Sequence, residues 1–461
     1  MAFVFASLFL SFLLFSSAFA ETGKIGINYG RIANNLPTPT EVVQLLKKQG
    51  LTRVKLYDSD SNVLKAFSNS GISVTVAIPN ENLTAAAASQ SFTDDWVKNN
   101  ILPFYPATNI SAVAVGNEVN VDSSITSFLV PAMSNVFASL RANALDTAIK
   151  ISSPISFNAL GNSFPSSAGS FKEELVTKMI QPMLEFLTNT SSYLMVNAYP
   201  FFAYSGNSDQ ISLDYALFKP NSGVVDSGNG LKYNSLFEAQ LDAVHAAMDL
   251  LKFHDIKVVV TETGWPSHGD ENEIGASLEN AEGYNGNLVK RVLSGGGTPL
   301  RPNDPLDVYL FALFNENEKS GPTSERNYGL FYPNEEKVYS VPLTVAEVAT
   351  EVVAVAPAAA VDGGSKVIVG QTWCVANEEV SKEKLQNGLD WACGAGKADC
   401  RPIQPGATCY NPSSLAAHAS YAFNSYYQLK ARAAGTCDFG GVAHVVTQSP
   451  KFGTCTFPTG Y

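Results

Sequence analysis

The sequence predicts an α/β chain: a (β/α)8 TIM barrel followed by a small disulfide-rich α+β module. Between Lys24 and about Val341, eight short apolar runs alternate with longer amphipathic stretches, the order of a closed parallel barrel. An open doubly wound sheet is the competing fold, but no G-x-G-x-x-G follows the first run and the length of the region suits the barrel better. All six cysteines (Cys374, Cys393, Cys400, Cys409, Cys437, Cys455) fall after Gln371, which sets the end of the chain apart.

In chain order, the first twenty residues are an apolar stretch closing on Ala18-Phe19-Ala20, a small-x-small pattern before Glu21. They read as a secretory signal peptide without the usual positive start; a membrane anchor is the alternative, disfavoured by the short run. The strands expected next are IGINYG, RVKLYD, SVTVAIP, SAVAVGNE, IKISSP, SYLMVNAYP, KVVVTETGW and DVYLFALFNE, each rich in branched or aromatic residues. Helices are expected at stretches such as TEVVQLLKKQG, VLKAFSNSG, PAMSNVFASLRANA, KEELVTKMIQPMLEFL and FEAQLDAVHAAMDLLKF, several stopped by Gly or Asn. After Val341 the chain turns to Ala, Val and Pro without aromatics, which reads as a linker. The expected divisions are a signal at 1–20, the barrel at 21–342, a linker at 343–370 and the module at 371–461.

The net charge is −12, and only seven Lys and Arg against six Asp and Glu follow Gln371, so the acidity belongs to the larger part. Such a balance disfavours nucleic acid and anionic membranes and suits a neutral polymer. The cysteines of an exported chain predict three disulfides, among fifteen possible pairings. No C-x-x-C pair supports zinc instead. Asn82, Asn109 and Asn189 begin glycosylation sequons.

Two glutamates stand out. VVVTETGWPS carries Glu262 from a buried strand toward Trp265 and Pro266, and a carboxylate there needs a partner or a task. In SAVAVGNE, alternation puts Ala112, Ala114, Gly116 and Glu118 on one face and Val113, Val115 and Asn117 on the other. The small face fits a barrel interior, so Glu118 and Glu262 would both stand at the C-terminal mouth, where barrel enzymes place their chemistry. Glycoside hydrolysis needs one carboxylic acid and one carboxylate in that relation, although a strand-end carboxylate can also hold a metal or pair with a lysine. The histidines show no H-E-x-x-H spacing and there is no G-x-S-x-G, which excludes those metalloprotease and serine-hydrolase signatures.

Several motifs together, IGINYGRIANNLPTP, VKLYDSD, AVGNEV, NAYPFFAY, VVDSGNG, VVVTETGWPS and LFNENEKSGPTSERNYGLFYP, give residues 24 to 341 a specific resemblance to the plant glycoside hydrolase family 17, the endo-1,3-β-glucanases. The resemblance implies that Glu118 is the general acid/base, that Glu262 is the nucleophile and that configuration is retained. It also points to Tyr57, Asn117, Tyr199, Glu316, Lys319 and Glu325 around the cleaved bond. Asn117 and Tyr199 can hydrogen-bond the sugar or the nucleophile, while Glu316 and Lys319 either position charge or form a structural ion pair. Phe201, Phe202, Tyr204, Trp265, Phe314 and Tyr328 are candidates for stacking on sugar rings, or plain packing. No cofactor or metal is expected.

The end of the chain, with QTWCVANEEV, NGLDWACGAGKADC, RPIQPGATCYNP and NSYYQLKARAAGTCDFGG, resembles a family 43 carbohydrate-binding module. This implies binding to β-1,3-glucan and bridges Cys374–Cys437, Cys393–Cys400 and Cys409–Cys455. Trp373, Trp391, Tyr421, Tyr426 and Tyr427 are candidate sugar contacts. The chain ends at KFGTCTFPTGY with no visible lipid-anchor signal, so a soluble extracellular or wall-associated protein is expected, and a monomer. Rival readings are a wall-binding lectin whose barrel has lost activity, and a β-1,3-glucan transglycosylase.

Overall fold

The computed structural model describes residues 22–348 and, apart from short gaps, 372–459. The expected signal peptide and most of the expected linker lie outside the described residues. Nine strand segments form the barrel: β1 Lys24–Asn28, β2 Arg53–Lys55, β3 Ser73–Ile78, β4 Asn109–Val115, β5 Lys150–Ser152, β6 Pro154–Ser156, β7 Leu194–Asn197, β8 Val258–Thr263 and β9 Asp307–Leu310. Their order is β5-β4-β3-β2-β1-β9-β8-β7-β6, parallel throughout. The two ends of this ladder are halves of one run, IKISSP, separated only by Ser153. Its first half pairs with β4 and its second with β7, so eight passes of the chain nearly close the barrel. Pro154, which has no N–H to donate, opens the second half.

The faces of β4 follow the alternation. Ala112 and Ala114 pack inward with Ala77 and Met195, while Val113 and Val115 join the core between strands and helices. Alternation does not, however, carry through to Glu118, because the strand stops at Val115. Gly116 and Glu118 take left-handed φ values of 68° and 52°. A Cβ on Gly116 would lie 2.6 Å from Val119 Cγ2, so glycine is required both for conformation and for space. The turn is held in place: Gly116 N donates to Ile78 O and Glu118 N to Pro154 O, each at 2.8 Å, and Asn80 bonds the Asn117 backbone at both ends.

The outer helices start on side-chain caps. Thr38 and Glu41 form a capping box ahead of Pro39–Lys48, and Ser235 caps Leu236–Leu250. Gln90–Asn100 and Leu278–Leu293, which the sequence pattern did not single out, begin at Ser89 and Ser277 in the same way. KEELVTKMIQPMLEFL is not one regular helix. A π turn at Val176–Ile180 precedes Gln181–Asn189, whose second residue, Pro182, cannot donate a backbone hydrogen bond.

The barrel unit runs through Val348. Val341 and Leu343 are buried in its core, Val348 packs on it, and the Glu347 carboxylate accepts the Leu343 and Thr344 N–H groups. The expected boundary at 342 therefore falls inside packed structure.

The C-terminal unit pairs β10 (Trp373–Ala376) antiparallel with β11 (Ala443–Val446), beside helices Lys382–Cys393 and Leu415–Leu429. Its disulfides are Cys374–Cys437, Cys393–Cys400 and Cys409–Cys455. Among the described residues no helix is long and apolar enough to cross a membrane.

Candidate active site

Glu262 sits near the C-terminal end of β8, where the β7–β8 register slips between Val260 and Glu262 and sets Glu262 beside Asn197. Glu262 is 5% exposed, and its carboxylate has a donor on each oxygen. Lys55 Nζ, from the end of β2, lies 2.9 Å from Oε1, and the Tyr199 hydroxyl donates to Oε2 at 2.9 Å. Burial alone would raise this carboxyl, but the Lys55 ammonium with its hydrogen bond and the Tyr199 hydroxyl outweigh it, so Glu262 is held below the usual carboxylate range. Burial and the Glu262 charge push Tyr57 and Tyr199 well above their ordinary value, and they stay protonated donors. Tyr57 donates to Asn28 Oδ1 at 3.1 Å.

Glu118 reaches the same space from the turn after β4. The Asn197 amide donates to its Oε1 at 2.9 Å, and Asn197 is itself fixed by the Thr261 hydroxyl, 2.9 Å from Asn197 Oδ1. Because Asn197 is the register partner of Glu262, one residue connects the two carboxyl sites across neighbouring strands. Burial, then the Glu262 charge, raises the Glu118 carboxyl, with the Asn197 hydrogen bond opposing. Like side chains thus end on opposite sides of the ordinary value.

The open cleft around them has a volume of about 1030 Å³ and is lined by Glu118, Glu262, Tyr57, Asn117, Tyr199, Glu316, Lys319 and Glu325, the residues grouped by the sequence. Two expectations need correction. Lys319 pairs with Glu325 at 2.9 Å rather than with Glu316, and its ammonium lies 4.2 Å from the Phe311 ring centroid. Glu316 instead accepts the Ile32 N–H at 2.8 Å, and burial raises its carboxyl. Trp265 is not a cleft residue: it is fully buried, donates its indole N–H to Gly275 O at 2.8 Å and packs on Phe201, Tyr204 and Tyr284. The large indole fills space behind the wall, as do Phe201, Tyr204 and Phe314. Phe202, half-exposed, and Tyr328 do line the cleft.

Sequence reasoning missed Lys55, Asn197 and Asn28. The signal existed, since Lys55 lies two residues before Tyr57 and Asn197 two before Tyr199, so alternation aims each pair to one side. Of the sequons, Asn109 and Asn189 are exposed and Asn82 is half-buried.

In the C-terminal unit, Trp373, Tyr421 and Tyr427 are buried core, as the small size of the unit demands, and do not face solvent as sugar contacts would. Trp391 and Tyr426, edge to face at 5.1 Å, instead line a hollow of about 510 Å³ with Phe439, Lys384 and Asn387.

A parallel barrel with two carboxyls at the mouth, shifted in opposite directions and set in an open cleft, defines a glycosidase of the barrel class. The family model for glycosyl hydrolases family 17 matches residues 25–343, and the chain belongs to that family. The X8 domain, a carbohydrate-binding module, matches residues 372–444. Among relatives, glucan endo-1,3-beta-glucosidase 12 of Arabidopsis thaliana is 42% identical over 98% of this chain and 87% of its own. The glucan endo-1,3-beta-D-glucosidase of Olea europaea is 39% identical over 98% and 97%. Of solved structures, a β-1,3-glucanase and allergen of Cryptomeria japonica pollen is 44% identical with a TM-score of 0.67, covering 70% of this chain and 99% of that one.

Proposed function

We propose that this protein is a retaining endo-hydrolase of 1,3-β-glucan in which Glu262 is the nucleophile and Glu118 the general acid/base. The observation that carries the reading is the asymmetry between the two carboxyls: Lys55 and Tyr199 bond the Glu262 oxygens and favour its ionised form, while burial and the charge of Glu262 favour the protonated form of Glu118. In the first step a Glu262 oxygen bonds the anomeric carbon as the glycosidic C–O bond breaks, and Glu118 gives its proton to the departing oxygen. In the second, water gives a proton to Glu118 and its oxygen to the anomeric carbon, while the ester electron pair returns to Glu262. Asn117, Tyr199 and Glu316 line the cleft, which supports a part for them in hydrogen-bonding sugar hydroxyls, and the Lys319–Glu325 pair stands at the cleft wall.

The substrate follows from the names of relatives that match nearly the whole chain, two of which are glucan endo-1,3-β-glucosidases. The Trp391–Tyr426 hollow gives the C-terminal unit an aromatic face for the same neutral polymer. An extracellular site is supported by three disulfides, which persist in oxidising compartments. Proton NMR of the first products from linear 1,3-β-glucan, with size analysis over time, tests the proposal. Random shortening with β product supports it. An initial α anomer, or net elongation of the glucan, overturns it.

A further inference from the structure

A lysine with 1% of its side chain exposed is costly to place inside a barrel. Lys55 closes β2, and among the described residues its ion-pair partner is Glu262, 207 positions away in the chain. Its Nζ also stands 4.0 Å from the centroid of the Tyr57 ring, so the ammonium is fixed between a carboxylate and an aromatic face. With Tyr199 on the other oxygen, each oxygen of the Glu262 carboxylate accepts a hydrogen bond that favours one orientation.

Resting on the function proposed above, we infer that Lys55 is the positioning residue of the nucleophile, holding Glu262 charged and oriented for attack and drawing the electron pair back when the glycosyl ester is hydrolysed. The chemistry requires such a group at two moments. Before attack, a carboxylate this deeply buried needs an opposite charge to remain a carboxylate. In the ester the Glu262 charge is consumed and the ammonium faces a neutral group. When water bonds the anomeric carbon and the ester C–O bond breaks, the returning charge appears beside the waiting cation, an arrangement that needs no reorganisation.

The remaining titratable groups facing this pair are Tyr57, Tyr199, Glu118 and Glu316, with Lys319 and Glu325 paired beyond them. Glu118 and Glu316 are raised rather than lowered, so the acid side of the activity profile belongs to Glu262. Removing Lys55 acts on that side.

The test uses the full chain, with kcat and KM for linear 1,3-β-glucan oligosaccharides measured against pH. Lys55→Met should move the acid limb of kcat/KM upward by about one pH unit or more and lower kcat about tenfold at the optimum, with KM changed less than about twofold. Lys55→Arg, which keeps the charge, should leave the limb in place. Lys55→Gln, a donor without charge, should behave like the methionine variant and carries the test if that variant does not fold. Loss by the same factor at every pH, with the limb unmoved in the uncharged variants, overturns the inference. An inactive wild type overturns the functional reading and the inference with it, whereas an active wild type with an unmoved limb overturns the inference alone.

Discussion

Glu118 and Glu262 carry the same side chain in different surroundings. Glu262 faces an ammonium and phenolic hydroxyls, whereas Glu118 faces the charge of Glu262 and one amide. Activity should therefore follow a bell-shaped profile, lost on the acid side as Glu262 takes a proton and on the alkaline side as Glu118 gives one up. Glu262→Gln should abolish turnover on every substrate. Glu118→Gln should cost about 10²–10⁴-fold on glucan but spare the first step for aryl glycosides with very good leaving groups, because only the poor leaving group needs the proton. Burst kinetics separate the two, and equal loss on both substrates would count against the acid role. Stability gives an independent check. A carboxyl raised in the folded state costs stability once pH exceeds its unfolded value, since unfolding then releases a proton. Glu118→Gln should melt higher than wild type at neutral pH, and the gain should vanish below about pH 4, where the unfolded glutamate is also protonated. A gain that persisted in acid would point to packing rather than charge.

At the scale of elements, the catalytic mouth depends on one strand that stops early and one whose register slips. Gly116 ends β4 in the left-handed region, and Glu118, a non-glycine residue, is held there two positions later. Gly116→Ala should cost about 1 kcal/mol or more from the conformation alone and also lower kcat, because relief of the contact with Val119 shifts the residue that follows. Thermal melting and kcat on one preparation decide it: a stability loss with unchanged kcat would show that the turn does not set the position of Glu118. This element was half legible in advance. Alternation placed Ala112 and Ala114 inward correctly, but extending it to Glu118 assumed a strand that the glycine had already ended. Likewise, branched apolar runs disclosed all eight passes of the barrel, whereas the π turn before Pro182 broke what periodicity alone presents as one helix.

At the scale of the whole molecule, the barrel and the X8 unit are separate compact bodies, and the barrel does not end where composition changes. A chain ending at 342 loses Leu343, 4% exposed, and the capped turn behind it, so it should be less stable by about 2–3 kcal/mol than one ending at 348. The longer form should hydrolyse soluble glucan like the full chain yet act poorly on insoluble glucan, where a tethered module raises the local enzyme concentration. Equal action on the insoluble polymer would sink the anchoring role, and equal melting of the two truncated forms would sink the boundary at 348. Which parts of this molecule were determined by the sequence itself follows from the range of the forces concerned. Strand and helix periods, caps and glycine stops act within a few residues, and so the barrel and its eight passes were readable along the chain, as were the motifs holding both glutamates. Lys55 and Glu262 meet across 207 positions, and Lys319 chose Glu325 over Glu316. Trp265, three residues from Glu262, turned into the core rather than the cleft. Only the closed barrel decided these matters, because burial, reach and pairing are properties of side chains already brought together in space.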